Sequence, residues 1–209
     1  MPDRSDKLKD YSDRRDLRKT PEPGEGEAEF EWAGSGPVFV IQKHDAQNLH
    51  YDFRIEVEGV LRSWAVPKGP STDPSVKRLA VPTEDHPLPY ANFEGTIPED
   101  QYGGGTVMVW DRGYYRNNKD EKDGEEADSV AEQLDRGHAT LWLEGEKISG
   151  GYALIRTGGG DDGRWLLVKM KDDRADARRD PVSTEPDSVK SGRTMEEIAE
   201  DGGSKTADG

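Results

Sequence analysis

Residues 49–57 read Leu-His-Tyr-Asp-Phe-Arg-Ile-Glu-Val, an alternation of apolar and polar side chains without a break. A period of two is what a β-strand needs to bury one face and leave the other polar. Tyr51, Phe53, Ile55 and Val57 fall on the core face, and His50, Asp52, Arg54 and Glu56 on the opposite one. Around this strand the chain holds other short strand-like segments: Val38–Gln42, Val60–Val66, Arg78–Val81, Thr106–Trp110, Gly113–Arg116, Thr140–Leu143, Gly151–Thr157 and Arg164–Met170. Glu58-Gly59 supplies a tight hairpin turn between the second and third. Strands this short and this closely spaced, separated by Gly, Pro and Asp, predict an all-β fold, an antiparallel barrel or sandwich. One helix is expected after Asp128 or Ser129 as N-cap, with Val130, Leu134 and Ala131 turned inward and Gly137 ending it.

The core must be concentrated, because only 31% of the 209 residues are apolar and 35% are charged. Residues 1–36 are polar and interrupted by Thr20-Pro21-Glu22-Pro23-Gly24, and read as an N-terminal arm. Residues 37–170 are the domain that holds these strands. Residues 171–209 carry few large apolar side chains and read as an acidic, largely disordered tail. Within that tail, Thr194 and Glu197 match a capping box and allow a short, fraying helix. Asn117–Asp128 reads as an acidic loop. Cysteine is absent, which excludes disulfides and thiolate zinc sites. No apolar run approaches membrane-spanning length and the start is not a signal peptide, so a soluble, cytoplasmic protein with no membrane partner is expected. The net charge of −15 argues against avid binding of a bare polyanion.

The polar face of 49–57 carries the chemistry. Side chains two apart on a strand stand about 6.6–7 Å apart, near enough for His50 and Asp52 to converge on one ion. His44 lies just upstream, where the chain can fold back to add a third ligand. Two imidazoles and a carboxylate suit a divalent first-row metal with open positions. The alternative is a structural hydrogen-bonded pair on a solvated strand. Arg54 cannot ligate a metal but can grip an oxyanion with its planar fork. His86, in the rigid loop Glu84-Asp85-His86-Pro87-Leu88-Pro89-Tyr90, is a further candidate. With its ordinary pKa near 6.5 it would donate a proton or a charged hydrogen bond. Lys68 and Arg78 are candidate sources of positive charge near the pocket. Gly103-Gly104-Gly105 lacks the lysine and helix of a phosphate loop and reads as a tight strand connection. Glu56 and His138 read as ordinary surface residues.

These segments carry a family resemblance. Phe39 to Ala46, Leu49 to Arg54, Ser63 to Ser71, Glu84 to Leu88, Phe93 to Gly95, Tyr102 to Val107, Val109 to Asp111 and Trp165 to Lys169 resemble, in order, the 3′-phosphoesterase domain of bacterial ligase D. Arg15-Asp16-Leu17 and Thr20 to Pro23 are similar to that family's arm. The resemblance selects the barrel over the sandwich: it implies a compact antiparallel β-barrel enzyme of DNA end joining that uses manganese. Such an enzyme removes a 3′-terminal ribonucleoside, then the 3′-phosphate left behind, at DNA or DNA–RNA primer–template ends. It implies that His44, His50 and Asp52 hold the metal and that Arg54 and His86 hold the phosphate, with Tyr90 nearby. Lys68, Arg78, Arg15, Asp16 and Glu22 correspond to supporting positions. Ser191 to Ile198 resembles the linker after this domain in fused ligases, yet no ligase or polymerase domain follows, so a separate ligase or polymerase is an expected partner. Two other classes fit parts of the pattern: an iron-dependent oxygenase with a two-histidine, one-carboxylate triad, and a non-catalytic DNA-end or ligase-scaffolding module.

Overall fold

A computed structural model describes residues 4–24, 36–119, 127–158 and 163–203. Of the expected arm, tail and acidic loop, residues 1–3, 25–35, 120–126 and 204–209 lie outside these. Nine strands form one antiparallel sheet. They are β1 (Val38–Asp45), β2 (Leu49–Val57), β3 (Val60–Val66), β4 (Lys77–His86), β5 (Gly95–Ile97), β6 (Gly105–Asn117), β7 (His138–Gly145), β8 (Ser149–Thr157) and β9 (Arg164–Lys169). Their order is β1-β2-β3-β4-β9-β8-β7-β6-β5, and β1 also pairs with β6. That second pairing closes eight strands into a barrel and leaves β5 outside, which removes the exposed edges an open sheet would present. The two segments expected at 106–110 and 113–116 are one strand, β6, long enough to serve β1, β5 and β7 together.

Local sequence explains the joints. Glu58 (φ 50°) and Gly59 (φ 80°) both take the left-handed conformation that a two-residue hairpin requires. Helix α3 (Val130–Asp135) is capped by Ser129, whose hydroxyl accepts the Glu132 N–H while Glu132 reaches back to the Ser129 N–H. Among the described residues no helix is long and apolar enough to cross a membrane.

The core has two parts. Phe39, Ile41, Phe53, Ile55, Trp64, Trp110, Leu141, Leu154 and Trp165 belong to the larger cluster. Val38 and Val40, on the other side of β1, belong to a second cluster with Tyr11, Leu61, Tyr90, Phe93, Val107 and Val109. Strand β1 is therefore buried on both faces. On its second face the cluster takes Tyr11 from the arm, where the helices α1 (Arg4–Lys7) and α2 (Lys9–Asp13) lie, and Tyr90 and Ala91 from the 3₁₀ helix Leu88–Asn92. Glu56 departs from the surface role expected of it: its carboxylate accepts the first strand N–H, that of Val38.

Residues 171–203, expected as a largely disordered tail, are folded onto the barrel. Helices α4 (Pro181–Thr184) and α5 (Met195–Gly203) are formed. The Thr194–Glu197 capping box is present, and Ile198 is 1% exposed within the larger cluster. The buried Glu94 carboxylate gathers Ser188, Ser191, Arg193 and the Val109 N–H. Few apolar residues suffice here because each one docks and the polar ones converge on one acceptor. Ile198→Ala should therefore cost about 2–5 kcal/mol in urea denaturation, whereas a solvated tail would tolerate the change without effect.

Candidate metal and phosphate site

The β1–β2 hairpin places three residue pairs directly opposite one another on the face away from the larger core: Val40 with Arg54, Gln42 with Asp52, and His44 with His50. His44 thus reaches the site as the cross-strand neighbour of His50. The polar face of β2 is covered, with Asp52 4% and Arg54 3% exposed.

His44, His50 and Asp52 each turn one ligand atom to a common point, all within 4.8 Å of one another. His44 Nε2 lies 2.9 Å from the Gly103 carbonyl and His50 Nδ1 2.9 Å from the Asn48 carbonyl. Each carbonyl requires a hydrogen on the nitrogen facing it, so the lone pairs are left on His44 Nδ1 and His50 Nε2. Those two atoms each stand 3.6 Å from an Asp52 oxygen. Carbonyls that fix both tautomers and aim both lone pairs at one carboxylate are the outer support that metal-ligating histidines use. The donor set fits a divalent first-row metal. Burial alone would raise the Asp52 pKa, but the Arg54 guanidinium and the two imidazoles outweigh it and hold this carboxyl well below its usual range. Burial opposes charge on His50, and Asp52 reverses that and raises its pKa.

Arg54 is held on three sides. It donates from Nε to Gln42 Oε1 at 2.8 Å and from Nη2 to Asp52 Oδ2 at 3.0 Å, and its Nη1 lies 3.1 Å from His86 Nδ1. Gln42 is itself locked, donating to the carbonyls of Tyr90 and Phe93. The protonated His86 that proton donation would need is not what the structure provides. Burial, then Arg54, then Arg15 push its pKa well below the ordinary histidine range, so the ring is neutral at pH 7. A neutral ring accepts one hydrogen bond, yet guanidiniums flank both nitrogens, with Arg15 Nη2 3.4 Å from Nε2. The Glu84 carbonyl, 2.8 Å from Nδ1, takes that nitrogen's hydrogen, so Nε2 accepts from Arg15 and the Arg54 Nη1 N–H aimed at Nδ1 has no acceptor there.

The arm completes the wall. Glu22, 4% exposed, accepts from Arg15 Nε at 2.9 Å, from the Tyr90 hydroxyl at 3.0 Å and from Thr20. Burial and the Glu22 charge raise the Tyr90 phenol well above its ordinary value, so it keeps its proton. Arg15 also donates to Glu84 at 3.0 Å. The resulting groove, about 860 Å³, is lined by Arg15, His44, His50, Asp52, Arg54, His86 and Tyr90 among others. Asp16, Lys68 and Arg78 do not line it. Asp16 is bonded to Arg18, Lys68 is exposed, and Arg78 sits on β4 opposite Leu167. Gln42, Glu84 and the Gly103 carbonyl were not singled out in the sequence. The even spacing of Gln42 and His44 on β1 is the one signal that points to Gln42.

The family model described as the DNA Ligase D 3′-phosphoesterase domain matches residues 42–156. The chain is 49% identical over 191 residues to the multifunctional non-homologous end joining protein LigD of Pseudomonas aeruginosa, covering 90% of this chain and 22% of that protein. It is 45% identical over 170 residues to the multifunctional non-homologous end joining DNA repair protein LigD of Mycobacterium tuberculosis, covering 81% and 20%. A LigD of Mycolicibacterium smegmatis is 44% identical over 175 residues, covering 81% and 21%. The chain spans about a fifth of the length of these curated relatives.

Calorimetric titration with Mn²⁺ tests the triad. His44→Ala and Asp52→Asn should each weaken binding beyond the about 10–100-fold that outer-shell partners are worth. In the native protein, Mn²⁺ at 100 times its Kd should add about 2.7 kcal/mol to unfolding stability, a gain that chelator removes.

Proposed function

This chain belongs to the DNA ligase D 3′-phosphoesterase domain family, and we propose that it is a metal-dependent phosphoesterase that heals DNA 3′ ends. In this reading it removes a 3′-terminal ribonucleoside and then the remaining 3′-phosphate from primer–template ends. It does so with manganese, in the non-homologous end joining named for its relatives, beside a ligase or polymerase. The observation that carries the proposal is the pre-aimed His44–His50–Asp52 triad beside an arginine held on three sides, all lining one groove.

Each residue has a physical task. His44, His50 and Asp52 would hold the metal, which when bound supplies charge neutralisation and Lewis acidity at the phosphate. Arg54 grips non-bridging oxygens in a fixed orientation, because Gln42 and Asp52 leave its fork no freedom to swing. The guanidinium N–H that His86 cannot satisfy finds its acceptor in a phosphate oxygen. Tyr90 and Glu22 stay out of proton transfer and hold Arg15 against the site.

Charge also favours metal dependence. The groove lining carries two guanidiniums, Arg15 and Arg54, against four carboxylates, Asp45, Asp52, Glu84 and Glu99. The lining, without the Lys68 and Arg78 expected to add to Arg54, the arm arginines and the metal, is therefore short of cations by two, the charge of one divalent ion. Without such an ion the groove repels DNA, as does the surface of a chain carrying −15.

A 5′-labelled primer–template with a 3′-terminal ribonucleotide tests the proposal. Incubation with Mn²⁺ should yield a primer shortened by one ribonucleoside and then dephosphorylated, and chelator or His44→Ala should abolish both steps. An unchanged primer in the presence of Mn²⁺ would overturn it. Arg54→Lys, which keeps the charge and loses the fork, should lower kcat by about 10²–10³-fold.

A further inference from the structure

One wall of the groove has no task in the chemistry above. Tyr102 lines it at 46% exposure. The other exposed large apolar side chains among the described residues, Leu17, Leu49, Leu79 and Val81, do not line the groove. The second tyrosine of the lining, Tyr90, is 2% exposed and offers no face.

Tyr102 is held in place. Arg14 donates from Nη1 to its hydroxyl at 2.7 Å, and the guanidinium carbons of Arg14 and Arg15 stand 5.2 and 5.3 Å from the ring centre. Its loop is tied to the metal ligands, because the next carbonyl along the chain, that of Gly103, accepts the His44 Nε2 hydrogen at 2.9 Å. The loop backbone also packs closely against the end of β1. Gly103 has φ +75° and Gly105 has φ +139°, and a Cβ at Gly105 would stand 2.2 Å from the Asp45 carbonyl oxygen. The ring is thus preorganised, flanked by cations, and linked through one backbone carbonyl to a residue of the triad.

We propose that Tyr102 is the stacking platform for the nucleobase of the primer's 3′-terminal nucleotide, positioning that nucleotide's 3′ oxygen at the triad and Arg54. The proposal rests on the phosphoesterase reading and adds how the end is gripped. Every base presents a π-face, so an aromatic platform holds ends of any sequence, as an end-healing enzyme requires. Flanking guanidiniums add cation–π and phosphate contacts to the same nucleotide. Such a grip offsets, locally, the poor attraction of an acidic protein for DNA.

Fluorescence anisotropy with Mn²⁺ and all-DNA primer–templates ending in a 3′-hydroxyl, which offer neither a 3′-terminal ribonucleoside nor a 3′-phosphate, measures the grip without turnover. One series ends in each of the four nucleosides, and the other ends in a tetrahydrofuran residue that lacks a base. Tyr102→Ala should weaken binding of all four base-bearing ends by roughly 5–150-fold and of the tetrahydrofuran end by less than about twofold. Tyr102→Phe keeps the ring and should bind within about twofold of the native protein. Equal losses on both kinds of end, no loss on either, or a Tyr102→Phe defect matching that of Tyr102→Ala would overturn the proposal. The last result would assign the effect to the hydroxyl and its Arg14 bond. Phosphate release by the native protein from 3′-phosphate ends, run in parallel, tests the enzyme reading separately, since binding by the platform does not depend on turnover.

Discussion

The register of the β1–β2 hairpin is the constraint from which the site follows. Opposing His44 to His50, Gln42 to Asp52 and Val40 to Arg54 sets two imidazoles, a carboxylate, a guanidinium and the amide that orients it on one patch of two adjacent strands. A slip of one residue would turn all of them to the other face and put Phe53 and Ile55 in the groove. That register is secured by burial on both sides, since Phe39 and Ile41 pack in the larger core while Val38 and Val40 pack in the second. The closure of β1 onto β6 then leaves the hairpin no freedom to slide.

Taking this many charges out of water carries a desolvation penalty that only close pairing offsets. Arg54 is met by Asp52, and Arg15 by Glu22 and Glu84. The arm is therefore part of the site, because Glu22 and Arg15 come from it and Tyr11 pins it by donating to the Pro23 carbonyl. Within the groove, the described residues give no partner to the lone pairs that His44 and His50 aim at Asp52 or to the guanidinium N–H that His86 cannot accept. Both are what a metal ion and a phosphate oxygen would satisfy.

Much was legible in the sequence. Period-two alternation located most of the strands, Glu58-Gly59 the tight turn, Ser129 the helix start, and His50-x-Asp52-x-Arg54 the polar cluster that lines the groove. The tail misled because composition reports how few apolar residues a segment has, not whether each one finds a cavity. Ile198 finds one, and Glu94 gathers the polar remainder. The protonation of His86 was not legible for a related reason. It depends on Arg54 and Arg15, which lie 32 and 71 residues away in the chain.

The sequence by itself determined the strand pattern, the strand face that bears His50, Asp52 and Arg54 and the family to which those residues point, because alternation and residue chemistry are local properties. Only the tertiary structure decided that this face is a buried groove, that Gln42 and backbone carbonyls aim its side chains, and that Lys68, Arg78 and Asp16 stand outside it. It also decided that His86 is neutral and that Tyr102 faces the groove. These depend on barrel closure and on the arm folding back, which bring distant charges within a few ångströms, where burial and Coulomb interaction set their state.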